Sequence, residues 1–161
     1  MDTTQYRDLV ESRMREAGYQ IQASSPASLM GYTKAFKLQW MASTLHLLVH
    51  VATAPTVTGP ELTAFTQQAL DHAKATKGQM RGFQSGVAVV TAVVGDHVEE
   101  DARRYARDTI VRGYAAFAWP TTVDLGTGTR TTHHGRPVIG AVFTPWIRRQ
   151  IDTLLPEPGA H

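Results

Sequence analysis

The chain has 161 residues, of which 42% are hydrophobic and 19% charged, and its formal net charge is +2. This length and composition exclude a disordered protein and predict a single domain, residues 1–161, that buries its own core. The absence of cysteine excludes a disulfide framework, thiolate metal sites and a cysteine nucleophile. No segment approaches the ~18 uncharged apolar residues that cross a bilayer, and the first residues lack a signal-peptide pattern, so we expect a cytoplasmic protein with no membrane partner.

The first part of the chain predicts a helix, a short strand and a β-hairpin. Apolar residues at helical spacing predict the helix over residues 4–17, and Tyr19 and Ile21 alternate with glutamines in the strand. Apolar residues then recur at alternate positions over residues 30–40 and 45–51, with a tight connection between them. Such alternation is typical of two strands that pair in a hairpin.

The most distinctive stretch is residues 86–95, which read Gly-Val-Ala-Val-Val-Thr-Ala-Val-Val-Gly. Its uncharged, small or β-branched residues predict a strand that is buried on both faces. The helix before it, residues 61–77, begins after a threonine cap at Thr58. A capping box at Asp96 and Glu99 predicts the next helix over residues 98–112. The strand therefore lies inside a helix–strand–helix unit.

The last part predicts a hairpin over residues 121–125 and 129–132, a loop, and a strand over residues 138–143. Thr144 and Pro145 then begin a final helix. The complete order, α-β-ββ-α-β-α-ββ-β-α, predicts the α/β class, with α+β as the alternative. We expect one compact domain with a mixed five- or six-stranded sheet and helices packed on it.

The element order over residues 4–125 is similar to the core of the restriction-endonuclease-like (PD-(D/E)xK) nucleases. These enzymes cut phosphodiesters with an acid on the second core strand and an Asp/Glu-x-Lys on the third, which together hold a divalent cation. Here the second strand, residues 31–40, contains no carboxylate, and residues 47–51 read Leu-Leu-Val-His-Val. The resemblance therefore implies a nuclease-like scaffold from which the catalytic motif is absent.

The distribution of charge suggests a possible polyanion-binding surface. Asp and Glu are absent between Glu16 and Glu61, between Asp71 and Asp96, and between Asp124 and Asp152. If these segments share a face, that face is basic and suits nucleic acid or another polyanion. The alternative is a solvated surface with uneven charge. The candidate residues for polyanion binding are Lys34, Lys37, Lys74, Lys77 and Arg81.

Histidines and one aspartate are the candidates for chemistry. His46 and His50 lie on one face of a strand but ~13 Å apart at ~3.3 Å per residue, too far to share a zinc ion, and buried structural histidines are the alternative. The adjacent His133 and His134 would diverge on an extended chain and would need metal ligands from elsewhere. Asp124, beside a glycine turn, is either a site carboxylate or a turn cap. We expect no metal and no cofactor.

Three tryptophans, Trp40, Trp119 and Trp146, are candidates for a protein interface, with stacking on bases or a place in the core as alternatives. The leading hypothesis is a non-catalytic binding or assembly module that forms homo-oligomers. The first alternative is a nucleic-acid-binding protein on a degenerate nuclease-like scaffold. The second is an enzyme with an unfamiliar site built on His46, His50 or Asp124.

Overall fold

A mixed seven-stranded sheet with helices on both faces organises the part of the chain that the computed structural model describes, residues 1–76, 85–113, 116–135 and 141–159. The helices are α1 (Thr3–Glu16), α2 (Gly59–Thr76), α3 (Glu100–Asp108) and α4 (Thr144–Leu154). The strands are β1 (Gln20–Ser25), β2 (Ser28–Lys37), β3 (Ser43–Val57), β4 (Ser85–Val98), β5 (Val111–Gly113), β6 (Ala116–Asp124) and β7 (Thr129–Thr131). The predicted α/β class and element order are confirmed.

The strands follow the order β1-β2-β3-β4-β6-β5, and β7 pairs with β6. Strands β1, β2 and β3 form an antiparallel meander, whereas β3, β4 and β6 run parallel and are connected through α2 and α3. The predicted hairpin is β2 with β3, and the predicted central strand is β4. The sheet has one or two strands more than expected, and one of them is β5, a short strand that forms where the sequence pattern predicts the end of a helix.

The two faces of the sheet bury different helices. Alternate residues of β3, such as Leu47 and Val49, pack with α1 and α4 in the largest core cluster. Leu48, between them, packs with α2 on the opposite face. Strand β4 is buried on both faces, as its apolar sequence predicts. No helix in the described ranges combines the length and the apolarity that a membrane crossing requires.

Helix α2 begins as predicted. The Glu61 backbone N–H donates to Thr58 Oγ1 at 3.3 Å, which makes Thr58 the cap. A second cap, which the sequence does not reveal, comes from α3: the Gly59 N–H donates to Asp101 Oδ1 at 3.0 Å. The start of α2 is therefore fixed both by its own sequence and by its neighbour.

Two local predictions were wrong. The capping box at Asp96 and Glu99 does not form, because β4 continues to Val98 in register with β3, and Glu99 makes no side-chain cap hydrogen bond. In the predicted strand over residues 138–143, the segment Ala141–Phe143 is a 3-10 turn that leads directly into α4. Residues 138–140 lie outside the described residues. In both places tertiary pairing or helix docking overrides a local signal.

The connection between β2 and β3 carries backbone strain. A 3-10 turn, Leu38–Trp40, is followed by Met41 and Ala42 with φ values of 57° and 58°. Non-glycine residues rarely adopt this left-handed region, because the Cβ atom crowds the neighbouring carbonyl oxygen at a cost of roughly 1–2 kcal/mol per residue. The turn thereby holds the Met41 side chain in solvent, where it is 82% exposed.

We predict that Ala42→Gly leaves the protein equally stable or increases its free energy of unfolding by up to about 1 kcal/mol. Glycine relieves the left-handed strain but costs roughly 0.5–1 kcal/mol through the greater entropy of the unfolded chain. The matched control is Ala64→Gly on the exposed face of α2, which should destabilise by about 1 kcal/mol. Urea unfolding of both variants tests this, and equal destabilisation by the two changes would contradict the strain at Ala42.

Candidate functional site

His46 and His50 lie on the sheet face that α2 covers, and each is only 8% exposed. His46 Nδ1 lies 2.7 Å from the hydroxyl of Tyr32, and the two rings stack. The His50 ring lies 5.6 Å from the His72 ring and 6.5 Å from the Phe65 ring, both on α2. The two histidines thus have separate partners. Within the described ranges, no group of three or more His, Asp or Glu side chains is arranged to hold a metal ion.

Burial keeps both imidazoles neutral at physiological pH. Desolvation, reinforced by the nearby His72, lowers the pKa of His50 to about 4. Desolvation and then the charge of Lys34 lower the pKa of His46. A general base works best when its pKa lies near the operating pH, so His50 is a weak candidate for proton transfer.

Asp124 is buried at the carboxyl end of β6, and both of its oxygens accept hydrogen bonds from the chain itself. Oδ2 accepts from the Val98 N–H at 3.1 Å and lies 3.4 Å from Arg103 Nη1. Oδ1 accepts from the Thr127 N–H at 2.9 Å, closing the glycine turn. This geometry matches the turn-cap alternative and also ties the end of β6 to the end of β4.

The three candidates for an enzyme site do not come together. A cavity of about 140 Å³ beside His50 is lined by apolar residues such as Met30 and Phe65, and neither His46 nor Asp124 borders it. Among the residues that the structure describes, this cavity is therefore open to His50 and not to the other two candidates.

The basic candidates that the structure describes lie apart from one another. Lys34 pairs in register with His46, and Lys37 reaches the opposite sheet face, where its Nζ lies 5.3 Å from the Trp40 ring centroid. Lys74 lies beside Gly113 on β5, at the far side of the sheet. Lys77 and Arg81 lie outside the described residues. Binding of a polyanion stays a prediction, and these three lysines do not form one patch.

The three tryptophans differ in their surroundings. Trp119 is fully buried in the core, so its own ring offers no surface to a partner. Trp40 is also buried, and its ring meets Phe143 at 5.0 Å and Trp146 at 5.7 Å in edge-to-face geometry. Trp146 is half-buried. An aromatic cluster of Trp40, Phe143 and Trp146 thus closes the core at the turn between β2 and β3.

Large apolar side chains are exposed in the chain segments that adjoin this aromatic cluster: the end of β2, the turn after it and the turn before α4. Phe36 is 58% exposed, Leu38 78%, Met41 82% and Val142 53%; apart from Met1, these are all the exposed large hydrophobic residues of the described chain. We call these four residues the tip surface. Scattered exposed apolar residues are ordinary, whereas a concentration at one place marks an interaction site.

A strand edge lies next to the tip surface. Strand β1 pairs with β2 only as far as Tyr32, so the outer edge of β2 from Thr33 to Lys37 has no strand partner among the described residues. Unpaired edges present rows of backbone donors and acceptors that readily pair with another strand. The tip surface therefore combines apolar side chains with unused backbone hydrogen-bonding groups.

The sequence pattern did not reveal the tip surface. Phe36 and Leu38 follow the alternation of the hairpin, and alternation alone does not distinguish a face that packs on a helix from one that stays open. Phe36 pairs with Thr44, beyond the point at which β3 becomes buried at Leu45, so the core does not extend far enough to cover it. One feature of the sequence could have indicated an interface here: residues 17–60 contain no Asp or Glu. The centres of protein interfaces are depleted of charged residues.

No model of a known protein family matches the chain, and no curated protein is significantly similar to it. The functional interpretation therefore depends on the geometry of the described residues.

We predict that Asp124→Ala lowers the free energy of unfolding by about 3 kcal/mol. The change leaves the buried Val98 N–H without its acceptor, at roughly 1–3 kcal/mol, and also removes the part-buried hydrogen bond from the Thr127 N–H. Asp108→Ala is the control: Asp108 forms an exposed pair with Arg107, and such pairs contribute about 0–1 kcal/mol. Urea unfolding measures the stability of both variants. If Asp124→Ala loses no more free energy of unfolding than Asp108→Ala, Asp124 does not stabilise the junction between the ends of β4 and β6.

We predict that His50 makes stability fall as the pH is lowered from about 6.5 to about 4. The folded pKa is about 4, below the ~6.5 of the unfolded chain, so in this window the unfolded state binds a proton that the folded state excludes. The contribution is about 2 kcal/mol between pH 7 and pH 5. His50→Gln should reduce the loss over that interval by about this amount, whereas His97→Gln, at an exposed position of β4, should not change it. Urea unfolding at both pH values measures the difference.

Proposed function

We propose that the protein is a non-catalytic, cytoplasmic binding and assembly module that forms homodimers through the tip surface. The observation that supports this most directly is the exposure of Phe36, Leu38, Met41 and Val142 in the chain segments next to Trp40 and Phe143. The strained turn adds to it, because backbone strain persists at functional sites when the surrounding structure holds it in place. The exposed Met41 side chain is flexible and polarizable, and methionine adapts well to a partner surface.

The free edge of β2 favours a second copy of the chain over an unrelated partner. Two identical strand edges pair antiparallel about a two-fold axis, which is the symmetry of the commonest protein dimers. Pairing along Thr33–Lys37 would bring the two tip surfaces together at the same axis. One contact would then satisfy the backbone groups of the edge and bury the apolar side chains beside it.

The charges near the edge are compatible with this pairing. If the two-fold axis passes through Ala35, Lys34 lies opposite Phe36 of the partner subunit, and Lys37 lies opposite Thr33 of the partner subunit. Like charges are therefore not placed directly across from each other, an arrangement that would be destabilising. Lys37 is also held over the Trp40 ring of its own chain, where the aromatic face partly offsets its charge.

We predict that the protein is dimeric at high micromolar concentration and that the double variant Leu38→Glu, Met41→Glu is monomeric. The introduced carboxylates would have to be desolvated at the centre of the interface, and burying unpaired charge costs several kcal/mol. Both positions are exposed within the single chain, so the variant should unfold at the same urea concentration as the original protein at low concentration. Sedimentation equilibrium over a wide concentration range measures the association.

The control is Gln68→Glu, Ala75→Glu, which adds the same charge to exposed positions of α2 and should leave the dimer intact. An original protein that stays monomeric at every concentration would overturn the proposal. Persistence of the dimer in the tip variant would place the interface elsewhere and would equally reject the tip surface.

A further inference from the structure

A cleft distinct from the tip surface lies between α4 and the segment that follows β7. It has a volume of about 180 Å³, the space of about six water molecules at ~30 Å³ each. Its polar lining comes from both elements: Arg130, Thr132, His133, His134, Arg148 and Asp152. We call it the Arg148 cleft. The side chains that border it are unusually rich in hydrogen-bond donors.

Buried contacts hold the cleft in shape. The Trp119 ring lies beneath it, 5.8 Å from the His133 ring and 5.7 Å from the guanidinium carbon of Arg148. Thr132, which is 5% exposed, accepts a hydrogen bond from Thr121 Oγ1 at 3.3 Å. The cleft is therefore built on β6 and does not depend on flexible surface side chains alone.

The two arginines of the cleft differ in how their charge is balanced. Arg130 Nη2 donates to Asp152 Oδ1 at 2.8 Å, and its Nη1 donates to the Leu155 carbonyl at 2.6 Å. Arg148 donates through Nη2 to the Gly135 carbonyl but has no carboxylate partner among the described residues. Arg148 thus places an uncompensated positive charge, partly shielded from water, at the cleft.

Several buried polar groups around the cleft lack a hydrogen-bond partner. The Arg148 Nε–H donor and the His133 Nδ1 atom are buried and have no hydrogen-bond partner within the described ranges. Thr132 uses its oxygen as an acceptor for Thr121, which leaves its own hydroxyl proton available. Unsatisfied buried polar groups are rare and cost roughly 1–3 kcal/mol each, so they indicate a missing acceptor.

The geometry points to the Arg148 cleft as a binding site for a small tetrahedral oxyanion of the phosphate class, either inorganic phosphate or the phosphoryl group of a small molecule. Arg148 supplies the compensating charge, the Thr132 hydroxyl donates from the residue after β7, and His133 and His134 border the site from the following segment. These groups come from α4 and from the segment after β7, and a guanidinium together with a hydroxyl donor can serve several oxygens of one phosphate group. The inference concerns a different surface from the proposed dimer contact and does not depend on it.

Asp152 limits what the cleft accepts, because its carboxylate also borders the space and pairs with Arg130. An anion therefore gains net attraction only where it contacts Arg148. A second cavity of about 300 Å³, lined by Ala141, Thr144 and Pro145, shares Arg148 with the cleft. That cavity offers space for the organic part of a phosphomonoester.

The test is isothermal titration calorimetry of the full chain with inorganic phosphate, glycerol phosphate and acetate at constant ionic strength. Phosphate should bind saturably, and Arg148→Gln should weaken binding about tenfold or more, the usual effect of losing a charge-assisted hydrogen bond. Tighter binding of glycerol phosphate than of phosphate would assign the site to a phosphoryl group of a larger molecule, and the reverse order to the free ion.

Two further variants keep the inference falsifiable if Arg148→Gln perturbs folding through its contact with Trp119. His134→Glu changes an exposed side chain on the cleft, should leave the fold intact and should abolish phosphate binding by repulsion. Arg149→Gln makes the same change in charge at the next, exposed position of α4 and should leave binding unchanged. Absence of saturable phosphate binding, equal weakening by Arg149→Gln, unchanged binding in His134→Glu, or equally tight acetate binding would each overturn the assignment.

Discussion

The structure depends on the burial of both faces of β4. Nearly every residue of this strand from Val87 to Gly95 is withdrawn from water, so the neighbouring strands must cover its two edges and helices must cover both faces. The one polar side chain in the buried stretch, Thr91, is accommodated because its hydroxyl bonds to the hydroxyl of Thr66 on α2 at 2.9 Å. Burying each valine of β4 contributes roughly 1.5–3 kcal/mol, so the burial of this strand is a large contribution to the stability of the fold. The side chains of a strand that is buried on both faces cannot contact a ligand, so a binding surface has to form outside the buried part of β4.

The carboxyl ends of the parallel strands are the usual place for a ligand in an α/β sheet, at a point where the strand order reverses. Here α2 and α3 both pack on the same face of the sheet. The parallel strands follow one another in the order β3-β4-β6, so the strand order does not reverse among them. Backbone groups at this end are also occupied: Asp124 accepts from Val98 and Thr127, and Asp101 caps Gly59. The donors that would hold an anion there already serve the fold, whereas the tip surface and the Arg148 cleft keep unsatisfied groups.

The predictable part of this protein is the part governed by local periodicity. The alternation in β2 and β3 and the apolar run of β4 each report burial directly, because the strand repeat places side chains on defined faces. The end of β4 was less predictable, since pairing with β3 extends the strand past a good capping signal at Asp96. The two proposed binding surfaces were least predictable. Trp40 meets Trp146, and Thr132 lies near Arg148, only because α4 docks on the sheet, and no local pattern encodes the position of a helix that packs across the fold.

Helix α4 contributes Trp146 to the aromatic cluster beside the tip surface and Arg148 to the Arg148 cleft, and yet keeps the two surfaces separate. Its Ile147, Ile151 and Leu154 are almost completely buried, which fixes the helix against the core. Trp146 projects toward Trp40, whereas Arg148 lies over Trp119. Sliding α4 would break the packing of three large side chains, at a cost of several kcal/mol, far more than a weakly bound anion could supply. The two surfaces are therefore joined by a rigid element, and any influence of an anion on dimerisation would have to act through charge and not through movement of the helix.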